Sequence, residues 1–187
     1  MVLSLATKVT LARILVIPLI VALLLVPYGW AAWSALVLFI LAALTDWLDG
    51  YLARREEQVS RLGTILDPIA DKLLVAAVVL ILVYNGGIAG WGILPALIIL
   101  MREVAVSGLR EFLAELRISV PVSRLAKWKT GIQMVALSFL IVGDHAPFWT
   151  FAPLFGTLGL WLAGLLTVVT GYDYWRASLE HLTSREA

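Results

Sequence analysis

Four aspartates form two close pairs in the first half of the chain. Asp46 and Asp49 are three residues apart, and Asp67 and Asp71 are four residues apart, so each pair shares one face of a helix. If the two helices pack together, the four carboxylates converge, and they take up protons unless cations neutralise them. Oxygen ligands favour Mg²⁺ or Mn²⁺ over zinc, and a pair of such ions about 4 Å apart suits displacement at phosphorus. The spacing therefore predicts a two-metal site for phosphoryl chemistry.

Small and basic residues follow the first aspartate pair. Gly50 and Ala53 allow either a ligand or a neighbouring helix to approach the backbone closely. Arg54 is placed for a phosphate oxygen, because its forked donors suit bidentate contact. These residues predict the binding of a phosphorylated ligand beside the metals.

Part of this segment also has a purely structural interpretation. Thr64 followed by Asp67 resembles a capping box at the start of a helix, and the charged run 55–57 is interpreted as a solvated loop face. Asp46 and Asp71, however, lie inside apolar segments, where a charged side chain is costly and usually functional. We therefore favour the metal site for the four aspartates taken together.

The composition indicates a membrane protein. Of the 187 residues, 61% are hydrophobic and 14% are charged, whereas a soluble domain has about a quarter charged residues. The absence of cysteine excludes disulfides, thiolate metal sites and a cysteine nucleophile. A net charge of +1 gives no reason to expect a nucleic-acid partner.

Six apolar segments are long enough to cross a bilayer, which requires roughly 20 residues. The fold expected is an all-α, polytopic bundle of six transmembrane helices in a single domain, 1–187, with a short interfacial segment at 1–9. The alternative that the N-terminus is a cleaved signal peptide would leave five spans. The predicted spans are 10–27, 32–52, 64–84, 90–113, 128–143 and 152–175.

Basic residues set the predicted orientation. None of the 14 lysines and arginines falls in the connections after the first, third and fifth spans. Since basic loops stay in the cytoplasm, both termini and the aspartate cluster are predicted to face the cytoplasm.

A basic wall is expected for an anionic substrate. Arg110 and Lys129, followed by Arg124, are the candidates for an acceptor phosphate. Basic residues of this region could instead be topology charges or contacts for anionic lipid. Arg102 and Glu103 lie well inside the fourth span, where they either face a polar cavity or form an ion pair that only joins helices.

The stretch TDWLDGYLARREEQVSRLGTILDPIADK resembles the CDP-alcohol phosphotransferase family. It matches the pattern D-x2-D-G-x2-A-R-x8-G-x3-D-x3-D at all eight fixed positions, which makes a chance match improbable. Within this family the likeness is greatest to members that act on glycerol 3-phosphate, and it extends to the blocks VTLARILVIP, MREVAVSGLREFLAEL and KWKTGIQMVA. The fixed positions are Asp46, Asp49, Gly50, Ala53, Arg54, Gly63, Asp67 and Asp71.

The resemblance implies roles for individual residues. The four aspartates would bind two divalent cations, Mg²⁺ or Mn²⁺, and Asp71 would also be the general base for the incoming hydroxyl. Residues that would contact CDP-diacylglycerol are Thr10, Arg13, Gly50, Ala53, Arg54, Ser60 and Gly63.

The reaction implied is transfer of a phosphatidyl group from CDP-diacylglycerol to glycerol 3-phosphate, giving phosphatidylglycerophosphate and CMP in phospholipid biosynthesis. The enzyme is expected in the cell (inner) membrane, as a homodimer embedded in the bilayer with its active site facing the cytoplasm. One alternative keeps the chemistry with inositol phosphate or serine as acceptor. A cation transporter is a different class, but transporters usually have internal repeats and broken helices at the midplane.

Overall fold

Six α-helices make up the part of the chain that the structure describes. The computed structural model describes the backbone of residues 5–56, 61–116, 118, 124–146 and 150–183, and the side chains of these residues except 5–6, 46–56, 61–62, 64–65, 124, 144 and 181–183. No β-strand occurs within these ranges, which confirms the predicted all-α fold. The helices are α1 (Leu5–Leu24), α2 (Gly29–Glu56), α3 (Arg61–Tyr84), α4 (Ile93–Glu115), α5 (Arg124–Val142) and α6 (Ala152–Thr183), with 3-10 turns at Gly90–Gly92 and Gly143–His145.

Several helices extend beyond the predicted spans at their polar ends. α2 continues to Glu56, α6 continues to Thr183, and α5 begins at Arg124. Charged residues such as arginine and glutamate are good helix formers, so a helix need not end where its hydrophobic stretch ends. α1 begins at Leu5, so the described part of the predicted segment 1–9 runs directly into the first helix.

Four helices of the described chain have the length and composition of membrane spans. α2 contributes a shorter apolar stretch, Gly29–Thr45, and α3 carries four charged residues in its first half. Large apolar side chains such as Leu15, Leu80 and Leu158 are more than half exposed, which suits a surface that contacts lipid. The four candidate spans are Thr7–Leu24, Gly90–Glu115, Leu125–Val142 and Ala152–Glu180.

The described chain divides into two compact units, and the first contains α1, α2, α3 and the segment Leu137–Gly156. α1 packs along both α2 and α3, and its buried Ile17, Ile20 and Leu24 recur at helical spacing. Asn85, just after α3, donates a hydrogen bond from Nδ2 to the carbonyl oxygen of Leu24 at 2.5 Å. This bond satisfies one of the carbonyls left open at the end of α1 and fixes α1 beside α3.

The second unit contains α4, α5 as far as Ala136 and α6 from Thr157 onward. Small residues bring its helices close together: a Cβ built on Gly159 would lie 2.9 Å from Cβ of Ala136, and one built on Gly164 would lie 2.9 Å from Cβ of Pro95. Such close approach is typical of helices that pack within a membrane. α6 is therefore held against both α4 and α5.

Candidate active site

The second aspartate pair lies on α3 as predicted. Asp67 and Asp71 are one turn apart in the continuous helix Arg61–Tyr84, and both side chains are partly buried. Residues four apart in a helix project from the same face. α3 thus presents two carboxylates side by side in the first unit.

Arg13 of α1 reaches this face of α3. Its Nη1 atom donates a hydrogen bond to Oδ1 of Asp67 at 3.2 Å, and the Arg13 side chain is only 1% exposed, against 42% for Asp67. A buried guanidinium that binds one carboxylate oxygen restricts the rotation of that carboxylate. Arg13 therefore fixes Asp67, a contact that was not anticipated when Arg13 was assigned to CDP-diacylglycerol.

Polar residues precede Arg13 on the same side of α1. Thr7 and Thr10 are spaced at three-residue intervals before it, and both are buried, at 0% and 2% exposure. A buried polar face on an otherwise apolar helix indicates a polar interior in this unit rather than a lipid contact. The structure thus places Thr10, a predicted substrate contact, on the inward face that carries Arg13.

The first aspartate pair lies in the continuous helix α2. Its backbone keeps Asp46, Asp49, Gly50, Ala53 and Arg54 at helical spacing, but their side chains lie outside the described ones. Ser60 lies outside the described residues, whereas Gly63 belongs to α3 and is half-buried. The roles predicted for these residues remain predictions.

A second group of charged residues lies in the other unit. Glu103 of α4 forms ion pairs with Lys129 of α5 and with Arg102, whose Nη1 is 3.5 Å from Oε1 of Glu103. Nη2 of Arg102 also donates a hydrogen bond to Oγ1 of Thr170 on α6 at 3.4 Å. The anticipated Arg102–Glu103 pair is thus observed, and Lys129, a predicted phosphate ligand, is its third member.

The other predicted acceptor residues differ in their surroundings. Arg110 is exposed, and its guanidinium carbon lies 5.8 Å from the centre of the Tyr174 ring, within the range of a cation–π contact. The side chain of Arg124 lies outside the described ones. Lys129, by contrast, is 2% exposed, so it belongs to the interior of its unit.

Within the predicted spans of the second unit, three buried polar residues are additional to those predicted from the sequence. Gln133 of α5 is 2% exposed, and Thr167 and Thr170 of α6 are 0% and 3% exposed. The available signal was their position inside apolar segments, where polar side chains face the protein interior. Thr170 joins the group formed by Arg102, Glu103 and Lys129 through its hydrogen bond with Arg102.

Comparison with known proteins identifies the family. A sequence model of the family described as CDP-alcohol phosphatidyltransferase matches residues 3–169. The chain belongs to the CDP-alcohol phosphatidyltransferase family. This finding confirms the resemblance carried by the aspartate pattern.

Similar members of the CDP-alcohol phosphatidyltransferase family span nearly the whole chain. A protein of Rickettsia typhi is 46% identical over 93% of this chain and 96% of its own. Relatives from Pseudomonas fluorescens and Bacillus subtilis are 45% and 39% identical, over 93% and 96% of this chain and 89% and 97% of their own. All three relatives are named CDP-diacylglycerol--glycerol-3-phosphate 3-phosphatidyltransferase.

The described residues fit the divalent cations expected in a CDP-alcohol phosphatidyltransferase. Asp67 and Asp71 offer two partly buried carboxylates on one face of α3, and hard cations prefer such oxygen donors. Among the described side chains no group of three or more potential ligands occurs. Further protein donors would come from side chains outside that set, which include Asp46 and Asp49.

Proposed function

We propose that this chain is a metal-dependent enzyme that transfers a phosphatidyl group from CDP-diacylglycerol to glycerol 3-phosphate, releasing CMP. The observation that carries the proposal is the near full-length similarity to relatives that bear the name of this activity. The paired carboxylates of α3, one of them held by a buried arginine, supply chemistry that this reaction needs. The product would be phosphatidylglycerophosphate, an intermediate of phospholipid biosynthesis.

The reaction needs a base and charge neutralisation. Asp46, Asp49, Asp67 and Asp71 would hold two divalent cations, Mg²⁺ or Mn²⁺, whose charge offsets that of the pyrophosphate. Asp71 would accept the proton of the acceptor hydroxyl. The freed oxygen forms a bond to the phosphorus that carries the diacylglycerol group, the bond from this phosphorus to the bridging oxygen breaks, and that oxygen leaves with CMP.

Different parts of the chain would bind the two substrates. Arg13 acts through Asp67, which it holds in place, in addition to the contact proposed with the donor. Arg110, Lys129 and Arg124 would bind the phosphate of the acceptor, because a dianion requires cationic partners. The residues proposed for CDP-diacylglycerol are Thr10, Arg13, Gly50, Ala53, Arg54, Ser60 and Gly63.

The membrane arrangement is part of the proposal. All six helices would cross the cell membrane, with both termini and the active site on the cytoplasmic side, and the enzyme would act as a homodimer. The distribution of basic residues supports this orientation. A substrate with its acyl chains in the bilayer and its nucleotide in water suits a metal site at the end of a helix bundle.

The proposal is tested by CMP release from CDP-diacylglycerol by purified protein in detergent. Glycerol 3-phosphate, inositol phosphate and serine are offered separately, with Mg²⁺ or Mn²⁺ present. Of the three acceptors, we expect only glycerol 3-phosphate to support CMP release. If CMP is released only with inositol phosphate or serine, the proposed reaction type stands but the proposed acceptor is wrong. If folded protein supplied with metal releases CMP with none of the three acceptors, the proposal is refuted.

Replacing Lys129 by methionine should raise KM for glycerol 3-phosphate about 30-fold, equivalent to roughly 2 kcal/mol. The substitution removes the ammonium group but keeps most of the side-chain volume. KM for CDP-diacylglycerol should stay unchanged, because only the acceptor phosphate loses a partner. Initial rates at varied acceptor concentration, with saturating donor and metal, measure the effect.

The melting temperature of Lys129→Met separates binding from folding. The variant leaves Glu103 paired with Arg102, so no unbalanced charge remains in this group. If Lys129 binds the acceptor, the variant should keep the wild-type melting temperature but show the raised KM. A lowered melting temperature together with an unchanged KM for the folded protein would show that Lys129 only stabilises its unit.

A further inference from the structure

Three buried polar side-chain atoms in the second unit lack hydrogen-bond partners within the described part of the chain. One is Nε of Arg102, whose other nitrogen atoms contact Glu103 and Thr170. The other two are Oε1 of Gln133 on α5 and Oγ1 of Thr167 on α6, and the exposure of their residues is 2% and 0%. Buried polar atoms are almost always hydrogen-bonded, because an unmet bond costs free energy. Polar atoms without hydrogen-bond partners on the successive helices α5 and α6 therefore indicate that a ligand or water binds between these helices.

Helical spacing places the two residues on facing stripes. Lys129, Gln133 and Ala136 recur at intervals of four and three on α5, and Gly159, Ala163 and Thr167 recur at intervals of four on α6. The two stripes meet where Gly159 packs against Ala136, and residues at such intervals share one helix face. Gln133 thus lies on the α6-facing side of α5, and Thr167 lies on α6 between this stripe and Gly164 and Gly171, which face α4. Both residues therefore border the seam that α5 and α6 form with α4.

The two residues also lie at compatible heights along this seam. An α-helix rises about 1.5 Å per residue, so positions along two antiparallel helices can be compared from their contact point. Measured along the helix axis from the Gly159–Ala136 contact, Gln133 lies about 4.5 Å away and Thr167 about 12 Å away in the same direction. Lys129 lies about 10.5 Å away on the same scale. Helical side chains lean toward the N-terminus of their own helix, so those of Gln133 and Thr167 lean toward each other, beside Lys129.

Their chemistry is complementary to a hydroxyl group. The Gln133 carbonyl oxygen can only accept a hydrogen bond, whereas the Thr167 hydroxyl can donate one. A hydroxyl bound between them would donate to Gln133 and accept from Thr167. The adjacent group of Arg102, Glu103 and Lys129 has two cations and one anion, so its net positive charge suits a phosphate next to that hydroxyl.

We propose that Gln133 and Thr167 bind the non-reacting C2 hydroxyl of glycerol 3-phosphate and thereby select a phosphorylated polyol as acceptor. This inference rests on the proposed function and on the assignment of Lys129 to the acceptor phosphate. One methylene carbon separates the C2 carbon from the phosphate ester oxygen, so the hydroxyl lies close to the phosphate. Sites that hydrogen-bond a substrate hydroxyl discriminate strongly against analogues that lack it.

The test compares two acceptors that differ only in this hydroxyl. Glycerol 3-phosphate and 1,3-propanediol monophosphate are assayed with the wild type, Thr167→Val and Gln133→Met. Each variant should raise KM for glycerol 3-phosphate about tenfold, the size expected for one hydrogen bond. Neither should change KM for 1,3-propanediol monophosphate, which we expect the wild type itself to bind weakly, and Thr167→Ser should retain the wild-type KM.

The outcomes distinguish this inference from the proposed function. Because Oγ1 of Thr167 has no partner among the described residues, Thr167→Val should not lower the melting temperature. If the variants leave KM for glycerol 3-phosphate unchanged, or raise KM equally for both acceptors, the inference is overturned while transfer by the wild type stands. An unchanged KM is also the result expected if water alone fills the site. A wild type that does not use glycerol 3-phosphate at all would overturn the proposed function instead.

Discussion

Asp71→Asn should reduce kcat at least 1,000-fold while the protein remains folded. The amide cannot accept the proton of the acceptor hydroxyl, and general-base catalysis alone contributes about 10²–10⁴-fold. Loss of a carboxylate from the proposed metal site adds to the defect. The rate of CMP release with saturating donor, acceptor and Mn²⁺ measures the effect.

Asp173→Asn is the matched control for Asp71→Asn. Asp173 is an exposed carboxylate on α6 and has no part in the proposed reaction, so its variant should keep the wild-type rate within about twofold, as expected for a surface substitution. Circular dichroism and melting temperature establish that both variants are folded. A folded Asp71→Asn protein that retains more than a tenth of the wild-type kcat would contradict the role of Asp71 as base.

Arg13→Met should lower the rate about 100-fold at a fixed, subsaturating Mn²⁺ concentration. Arg13 holds Oδ1 of Asp67, and losing a group that orients a metal ligand typically costs 10–100-fold in metal affinity or activity. Arg13→Lys keeps the charge but not the forked geometry, so we expect an intermediate loss. The measurement is the Mn²⁺ concentration that gives half-maximal activity, which should rise in both variants.

The same experiment separates two roles of Arg13. If Arg13 acts through Asp67, saturating Mn²⁺ should restore much of the rate, and KM for CDP-diacylglycerol should change little. If Arg13 mainly contacts the donor, the Mn²⁺ requirement will stay at the wild-type value and KM for CDP-diacylglycerol will rise. Lys8→Met, which removes an exposed cation from the same helix, serves as the control and should behave as wild type.

The existence of the helices was predictable, but several of their ends were not. Long apolar stretches require helices in a bilayer, because backbone polar groups must then bond within the helix. The ends depend on the residues that stop a helix, and the hydrophobicity of the sequence does not identify these residues. α2 therefore continues through Arg54 and Arg55 to Glu56, although its apolar stretch ends earlier.

Local spacing predicts that Asp67 and Asp71 share a helix face, but it does not predict the long-range contacts of the charged residues. The one-turn separation of Asp67 and Asp71 follows from the sequence alone. The Arg13–Asp67 contact joins residues 54 apart, and the Glu103–Lys129 ion pair joins residues 26 apart. No periodicity specifies such pairs, because they depend on which helices pack together. The sequence thus predicts Lys129 as a ligand of the acceptor phosphate, but it does not predict the ion pair of Lys129 with Glu103.

Identification of the lipid that the purified protein makes from CDP-diacylglycerol and glycerol 3-phosphate tests the proposed transfer without an intermediate assay. Mass spectrometry of the lipid fraction, with and without EDTA, measures it. We expect phosphatidylglycerophosphate in equal amount to the CMP released, and we expect this lipid to be lost when the chelator removes the divalent cations. Undiminished product in EDTA would contradict the metal requirement, and the absence of this lipid from folded protein supplied with Mg²⁺ and Mn²⁺ would contradict the proposed transfer.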